Sequence, residues 1–313
     1  MAEGSTFTFN DADGYAAGFD GARIDLTITG AGDFEARLTR LQLEHLDVFR
    51  CHESLPRIAH MSLPPERIYF SFPVGPTSFV SDGRVVRDGE MILHGRGESL
   101  HQRSGGLCEW GLISLSPEQF ERDSKALTGR EIPLSNTTRI LRPARTDAAG
   151  FQRLLKKVCH LAEKNQRLIE RPEVSKALEE ELLRAIINCM TVHEGNENSR
   201  NRHNHAAVMV RLEQELGRRA DEKLSMPRLC AAVGVPERTL RMYCAKSLGV
   251  SPTRYLLLRR LNKARSALRR ADPSMVTVAE VARNHQFLEL GRFAVTYRAT
   301  FGESPSVTLE RHR

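Results

Sequence analysis

The chain is 313 residues long, 40% hydrophobic and 27% charged, with a formal net charge of +7. Length and balance describe about two globular domains and exclude a disordered or fibrous chain. No apolar run reaches the roughly 18 residues of a membrane span, and the first twenty residues lack the basic start and apolar centre of a secretory signal. Six scattered cysteines with no CxxC pair fit free thiols in a reducing cytoplasm, not a disulfide frame.

The charge is unevenly spread. Residues 207–313 hold 20 Lys and Arg against 10 Asp and Glu, whereas the remainder holds 26 against 29. The last third therefore carries all of the positive excess, which suits a polyanionic partner; a merely solvated basic surface is the other reading of charge alone.

In chain order, residues 36–115 are short apolar stretches broken by Gly and Pro. Ile68, Phe70 and Phe72 alternate onto one face, and Ser81-Asp82-Gly83-Arg84 and Arg87-Asp88-Gly89-Glu90 are turns enclosing a short strand. Such spacing predicts a small β-sandwich or barrel. From Pro117 the pattern turns helical. One helix over 146–164 stripes Phe151, Leu154, Leu155, Val158 and Leu161, and another over 171–193 stripes Val174, Leu178, Leu182, Leu183, Ile186, Ile187 and Met190. These stripes either pair two subunits or cover the sheet. The sequence HEGNENSRNRHNH from His193 has no large apolar residue and reads as a linker over 193–206, separating 1–192 from 207–313. His203 and His205 within it read as solvated residues rather than metal ligands.

One pattern then occurs twice. Ser225-Met226-Pro227 opens a short helix with Leu229, Ala232 and Val233 on its apolar face, and Gly234 stops it. A second helix runs from Pro236 through Ser247, burying Leu240, Tyr243 and Cys244, and Gly249 ends it. A long helix capped by Ser251 follows to about Ala271, with Tyr255, Leu256, Leu258, Leu261, Ala264 and Leu268 buried; roughly 20 residues span about 30 Å. Its basic run of Arg259, Arg260, Lys263, Arg265, Arg269 and Arg270 reads mostly as a solvated outer face. The second copy opens with a capping box, Thr277 and Glu280, turns at Asn284-His285-Gln286-Phe287, and continues as a helix to Thr300 that buries Phe293 and Tyr297. Gly302-Glu303-Ser304-Pro305 repeats the ending Gly249-Val250-Ser251-Pro252. Two helix-turn-helix units about 30 Å apart match one turn of B-DNA, about 34 Å.

This part of the chain resembles the DNA-binding domain of the AraC family of bacterial transcription regulators. The likeness rests on Leu229-Cys230-Ala231-Ala232-Val233-Gly234-Val235, Arg238-Thr239-Leu240, Gly249-Val250-Ser251-Pro252, Arg260-Leu261-Asn262 and Phe301-Gly302-Glu303-Ser304-Pro305. Gly291-Arg292-Phe293-Ala294 and Pro305-Ser306-Val307-Thr308-Leu309 are similar to its ethanolamine-utilisation-type branch. The chain departs from the family pattern at Pro236, where many members carry Ser, and at Gln286, where many carry Gly. The resemblance implies base reading by Arg238, Arg241 and Met242 from the first unit and by Gly291, Arg292, Val295 and Thr296 from the second. An arginine grips guanine O6 and N7 at two points, so the first unit is expected to read more of the sequence; the alternative is that Val295 and Leu290 select thymine methyls. Arg254, Arg298 and Arg311 are candidate phosphate contacts.

The expected fold class is α+β, with an N-terminal cupin-like β domain, a helical dimerisation segment and a C-terminal all-α domain. The expected function is sequence-specific binding of double-stranded DNA by a cytoplasmic regulator, an activator as in most of the family, with RNA polymerase as a further partner. A homodimer, control by a small-molecule effector, no catalysis and no cofactor or metal complete the expectation. The alternative is a cupin-like metal enzyme domain fused to a DNA-binding module. His94, Glu98 and His101 are its best ligand set, with His45, His52, Glu53 and His60 looser still, but the HxH pair of the cupin metal pattern is absent. A third reading is a regulator switched by a protein partner. No GxSxG, Walker-type loop or HExxH occurs.

Overall fold

The structure is a computed structural model and describes residues 2–129, 132, 137–190, 199–219 and 224–311. Its first half is β-rich. A seven-stranded sheet has the order β1 (Glu3–Phe9), β3 (Ala36–Gln42), β4 (Leu46–Glu53), β11 (Cys108–Leu115), β6 (Ile68–Pro73), β9 (Met91–Leu93) and β12 (Arg139–Leu141). A five-stranded sheet has the order β2 (Arg23–Ile28), β5 (Arg57–Ser62), β10 (Ser99–Ser104), β7 (Phe79–Ser81) and β8 (Arg84–Val86). Every pairing is antiparallel, and of these pairs only β3–β4 and β7–β8 join strands consecutive in the chain through hairpins.

Strand alternation sorts the side chains into three layers. Between the sheets lie Phe49, Cys51, Trp110 and Leu112 from the larger one and Ile24, Ala59, Met61 and Leu100 from the smaller, with Tyr15 and Phe19 from α1 (Ala12–Ala17) and its end. This interior also encloses a charged pair: Arg57 Nε donates to Glu53 at 2.7 Å, and Glu53 accepts further from Tyr15 and Trp110. The opposite face of the larger sheet presents Phe70, Phe72, Ile113 and Leu115 to helices α3 (Arg145–Lys164) and α5 (Pro172–Met190). Gly111 is required there, because a Cβ would lie 2.3 Å from the Phe72 ring.

The predicted stripes of α3 and α5 are therefore covered by the sheet: Phe151, Leu155, Val158, Leu182, Leu183, Ile186 and Ile187 are all buried against it. Of the two readings, the structure takes the sheet-covering one. The helical expectation from Pro117 is met by α2 (Pro117–Thr128), but the chain then returns to the sheet as β12. The first two strands and α1 were not marked by strong apolar alternation; β1 buries only Gly4 fully, because it is an edge strand.

Among the described residues, the last third folds into helices: α6 (Ser199–Arg218), α7 (Met226–Val233), α8 (Glu237–Leu248), α9 (Pro252–Arg270), α10 (Val278–Asn284), α11 (Leu290–Phe301) and α12 (Pro305–Glu310). The α+β division holds. The seam differs from the expected linker, part of which lies outside the described residues. From Ser199 the chain is already helical, and His205 is buried, stacked on Tyr243 with centroids 4.4 Å apart and hydrogen-bonded to Ser247 at 3.0 Å. His205 is recruited by packing on α8, whereas Asn204 beside it stays exposed. The His203 side chain lies outside the described residues.

Candidate nucleic-acid interface

The first unit is built on a small core of its own. Val208, Met209, Leu212 and Leu216 of α6 pack on Leu229 and Val233 of α7, Leu240, Cys244 and Leu248 of α8, and Tyr255 of α9. Ala232, expected on this face, is exposed instead, at the solvent side of the last turn of α7. Gly234 adopts φ +75, a left-handed conformation that favours glycine, and its N–H closes α7 on the Cys230 carbonyl at 2.9 Å. Helix α8 starts without a side-chain cap, as Pro236 requires. Its outer face carries Arg238, Arg241 and Met242, all exposed. Arg241 is held by Glu237 one turn back, Nε to Oε1 at 2.8 Å, so its guanidinium is pre-set along the helix.

Helix α9 is capped by Ser251, whose Oγ accepts from the Arg254 N–H at 3.2 Å. Nineteen residues make it about 28 Å long. The second unit then repeats the first. Thr277 and Glu280 form the expected capping box in both directions, at 3.2 and 2.7 Å. Phe287, Phe293, Tyr297 and Phe301 stack in series with centroids 4.7–5.5 Å apart, and Tyr297 donates to Thr308 at 2.8 Å. Gln286 stands at φ +63, the left-handed conformation that explains the family's preference for glycine there. Exposed on α11 are Gly291, Arg292 and Val295; Arg254 and Arg298 are exposed as well. Thr296 is half-buried and its hydroxyl turns back to the Arg292 carbonyl at 2.7 Å, as Ser and Thr do mid-helix. Leu290 is half-buried against the aromatic core. Leu288, absent from the predicted set, is 81% exposed in the turn before α11. The available signal was an apolar residue in a turn that needs none.

The basic run on α9 is not a solvated face. Arg265 is buried against Phe301 and paired with Glu303 at 2.8 Å, and Arg260 lies over Phe287. Arg269 donates to the Asn10 carbonyl and Arg270 pairs with Asp13, both across to the β domain. Arg311 likewise pairs with Asp33 of the β domain at 2.7 Å and with Glu303 at 3.3 Å. Guanidinium forks suit such ties, since they form hydrogen bonds in several directions.

The β domain grips the whole helical part through the outer face of the five-stranded sheet. Asn262 of α9 accepts from the Ile28 N–H and donates to its carbonyl, at 2.9 and 3.0 Å. The Gly32 N–H donates to the Phe301 carbonyl at 3.2 Å. Nearer the start of α9, Glu213 of α6 accepts from His101 of β10 at 2.9 Å, from Tyr255 at 2.8 Å and from Arg259. Burial pushes the Glu213 carboxyl up, but the His101 hydrogen bond and the Arg259 charge outweigh it and hold the group well below the usual carboxylate range. His101 therefore serves an interdomain contact. His94 instead bonds Ser71 and Glu98, and Glu53 lies inside the sandwich, so these candidate metal ligands do not converge. Among the described residues no group of three or more His, Cys, Asp or Glu side chains is placed to hold a metal ion, and no helix is long and apolar enough to cross a membrane.

Comparison with known proteins places residues 229–311 in a helix-turn-helix domain family. The chain is 43% identical over 90 residues to a probable thc operon regulatory protein of Rhodococcus erythropolis, covering 29% of this chain and 27% of that one. It is 34% identical over 103 residues to XylDLEGF operon transcriptional activator 2 of Pseudomonas putida, covering 33% and 66%. This chain thus spans about a quarter to two thirds of these curated relatives. A solved chain described as a probable AraC family transcriptional regulator from Rhodopseudomonas palustris is 31% identical, covering 34% of this chain and 97% of that one, with a TM-score of 0.31. The matched stretch contains both turns, both reading helices and the long helix between them, so residues 229–311 form an AraC-type helix-turn-helix domain.

Proposed function

We propose that the chain is a sequence-specific transcriptional regulator that binds double-stranded DNA by inserting α8 and α11 into successive major grooves. The observation that carries this reading is that both outer faces, Arg238–Met242 and Gly291–Val295, stay exposed although the β domain grips both units. A helix of about 28 Å between them fits a duplex repeat of about 34 Å. Arg238, Arg241 and Arg292 read base edges, and Arg254 and Arg298 hold phosphates. Arg311 reaches a phosphate only by leaving Asp33, so it couples DNA contact to the grip of the β domain.

The similarity to transcriptional activators of Pseudomonas putida supports an activator, which engages RNA polymerase. The working form is a cytoplasmic homodimer whose contact does not use the covered stripes of α3 and α5. It acts by binding, without a catalytic step or cofactor. The DNA-binding domain takes in α6, whose Val208, Met209, Leu212 and Leu216 belong to its core. A cleft of about 710 Å³ lies between β2 and α9, lined by Phe19, Ile24, Leu26, Asn262 and Lys263. Domain seams of this size are where small effectors bind, and an occupant here would shift how the two units sit.

The test is binding of the full-length chain to duplexes selected from a random 30-base-pair library, across a salt series, against scrambled duplexes. The expected result is a steep salt dependence and a preference of about a thousandfold or more. Equal binding to selected and scrambled duplexes, or none at low salt, would overturn the reading.

A further inference from the structure

The two reading faces differ in chemistry more than in shape. Aligning their endings, Gly249 with Gly302, puts Met242 opposite Val295 and Arg238 opposite Gly291. The second turn is also longer: three residues separate α7 from α8, whereas five separate α10 from α11. Leu288 lies in that longer turn. At 81% exposure it is the most exposed large apolar residue among those described, with Met275 at 78% and Val295 of α11 at 72% next. Water-exposed leucine in a short turn contributes nothing to the core, whose nearby members are Phe287 and Phe293.

Gly291 sits between the two. It has no positive φ, and a Cβ built on it would meet no atom within 4 Å. Neither backbone geometry nor packing calls for glycine there, although glycine costs a helix about 1 kcal/mol against alanine. Leu288 stands just before Glu289, the N-cap of α11, while Gly291 and Val295 lie one turn apart in its first two turns, so along the chain they make a strip apolar at both ends and without a side chain in the middle. The strip is continuous with Arg292 on the face proposed to enter the groove. In the major groove the apolar feature that distinguishes one base pair from another is the 5-methyl group of thymine.

We infer that the second unit reads thymine methyl groups through Leu288 and Val295, with Gly291 admitting the base edges between them. This rests on the proposed DNA binding and assigns its chemistry unevenly: guanine edges chiefly to the first unit, with Arg292 alone in the second, and thymine methyls to the second. Removing one methyl-sized apolar contact from water changes affinity about fourfold, so two contacts change it by roughly an order of magnitude.

The experiment remakes the library-selected duplexes with deoxyuridine for thymidine, separately in the half protected by α11 and in the half protected by α8. Deoxyuridine keeps every hydrogen-bonding group and removes only the methyl. The expected result is a loss of about tenfold when the α11 half is replaced and a much smaller loss for the other half. Leu288→Ser/Val295→Ser binds thymidine and deoxyuridine duplexes alike. Both positions are exposed, so this variant keeps its fold, which circular dichroism checks. Gly291→Ala gives a second, independent readout: it raises thermal stability while weakening the selected duplex severalfold. Equal affinity of the unaltered chain for both duplexes overturns the inference and leaves DNA binding standing. A deoxyuridine penalty that survives in Leu288→Ser/Val295→Ser overturns the assignment to these residues. Failure of the library to yield any preferred duplex removes the DNA-binding reading and this inference with it.

Discussion

The two helix-turn-helix units share caps, turns and endings, yet they differ in what holds them and what they present. The first unit stands on α6, whose Glu213 is buried against His101 of the β domain, and it presents arginines, one of them steadied by Glu237. The second stands on an aromatic series and touches the β domain through Gly32 and Asp33; its exposed face is largely apolar. A duplicated scaffold thus fixes where the reading helices sit, while the outward side chains and the seam contacts set how each unit reads and how firmly each is held.

The largest expected effect breaks the anchorage of the first unit. Glu213→Ala leaves His101 and Arg259 buried without their carboxylate and is expected to cost about 3–5 kcal/mol in urea unfolding. The pH dependence follows from the depressed Glu213 carboxyl. Its contribution is fully present above the unfolded value of about 4.3 and is lost as pH falls below it toward the folded value. An acid titration of stability checks this: Glu213→Gln flattens the decline below about pH 4.

Next comes the reading asymmetry. Arg241→Ala is expected to cost about 1–3 kcal/mol on the selected duplex and to relax one base position in the α8 half, with little change on scrambled DNA. Competition binding with single-base variants measures it. Equal losses on selected and scrambled DNA would make Arg241 a phosphate contact. Arg298→Ala should weaken all duplexes alike and reduce the salt slope by about one unit, seen in the same salt series.

The smallest effect concerns the turns. Gly234 is glycine where φ is +75, whereas Gln286 occupies φ +63 with a side chain. Gln286→Gly relieves left-handed strain of about 1–2 kcal/mol at the expense of extra unfolded-chain freedom, for a net gain of about 0.5–1 kcal/mol in thermal unfolding.

What the sequence made legible is local. The Thr277–Glu280 box and the stops at Gly234, Gly249 and Gly302 involve residues within a few positions of one another, and each is found where the pattern puts it. What it concealed is paired at long range. The arginines of α9 looked solvated because their partners, Glu303, Asp13 and Asn10, are 38 to 259 residues away in the chain. His101 looked like a metal candidate until Glu213, 112 residues on, was seen to meet it. Of the reading faces, the charged positions followed from the family resemblance. Leu288 did not, because exposure of an apolar residue in a turn is a property of the folded surface.

Hydroxyl-radical footprinting of the full-length chain on a library-selected duplex tests the central claim most directly. The account predicts two protected patches on one face of the duplex, centred about 10 base pairs apart. A single patch, or protection spread evenly along the duplex, would contradict the insertion of both units.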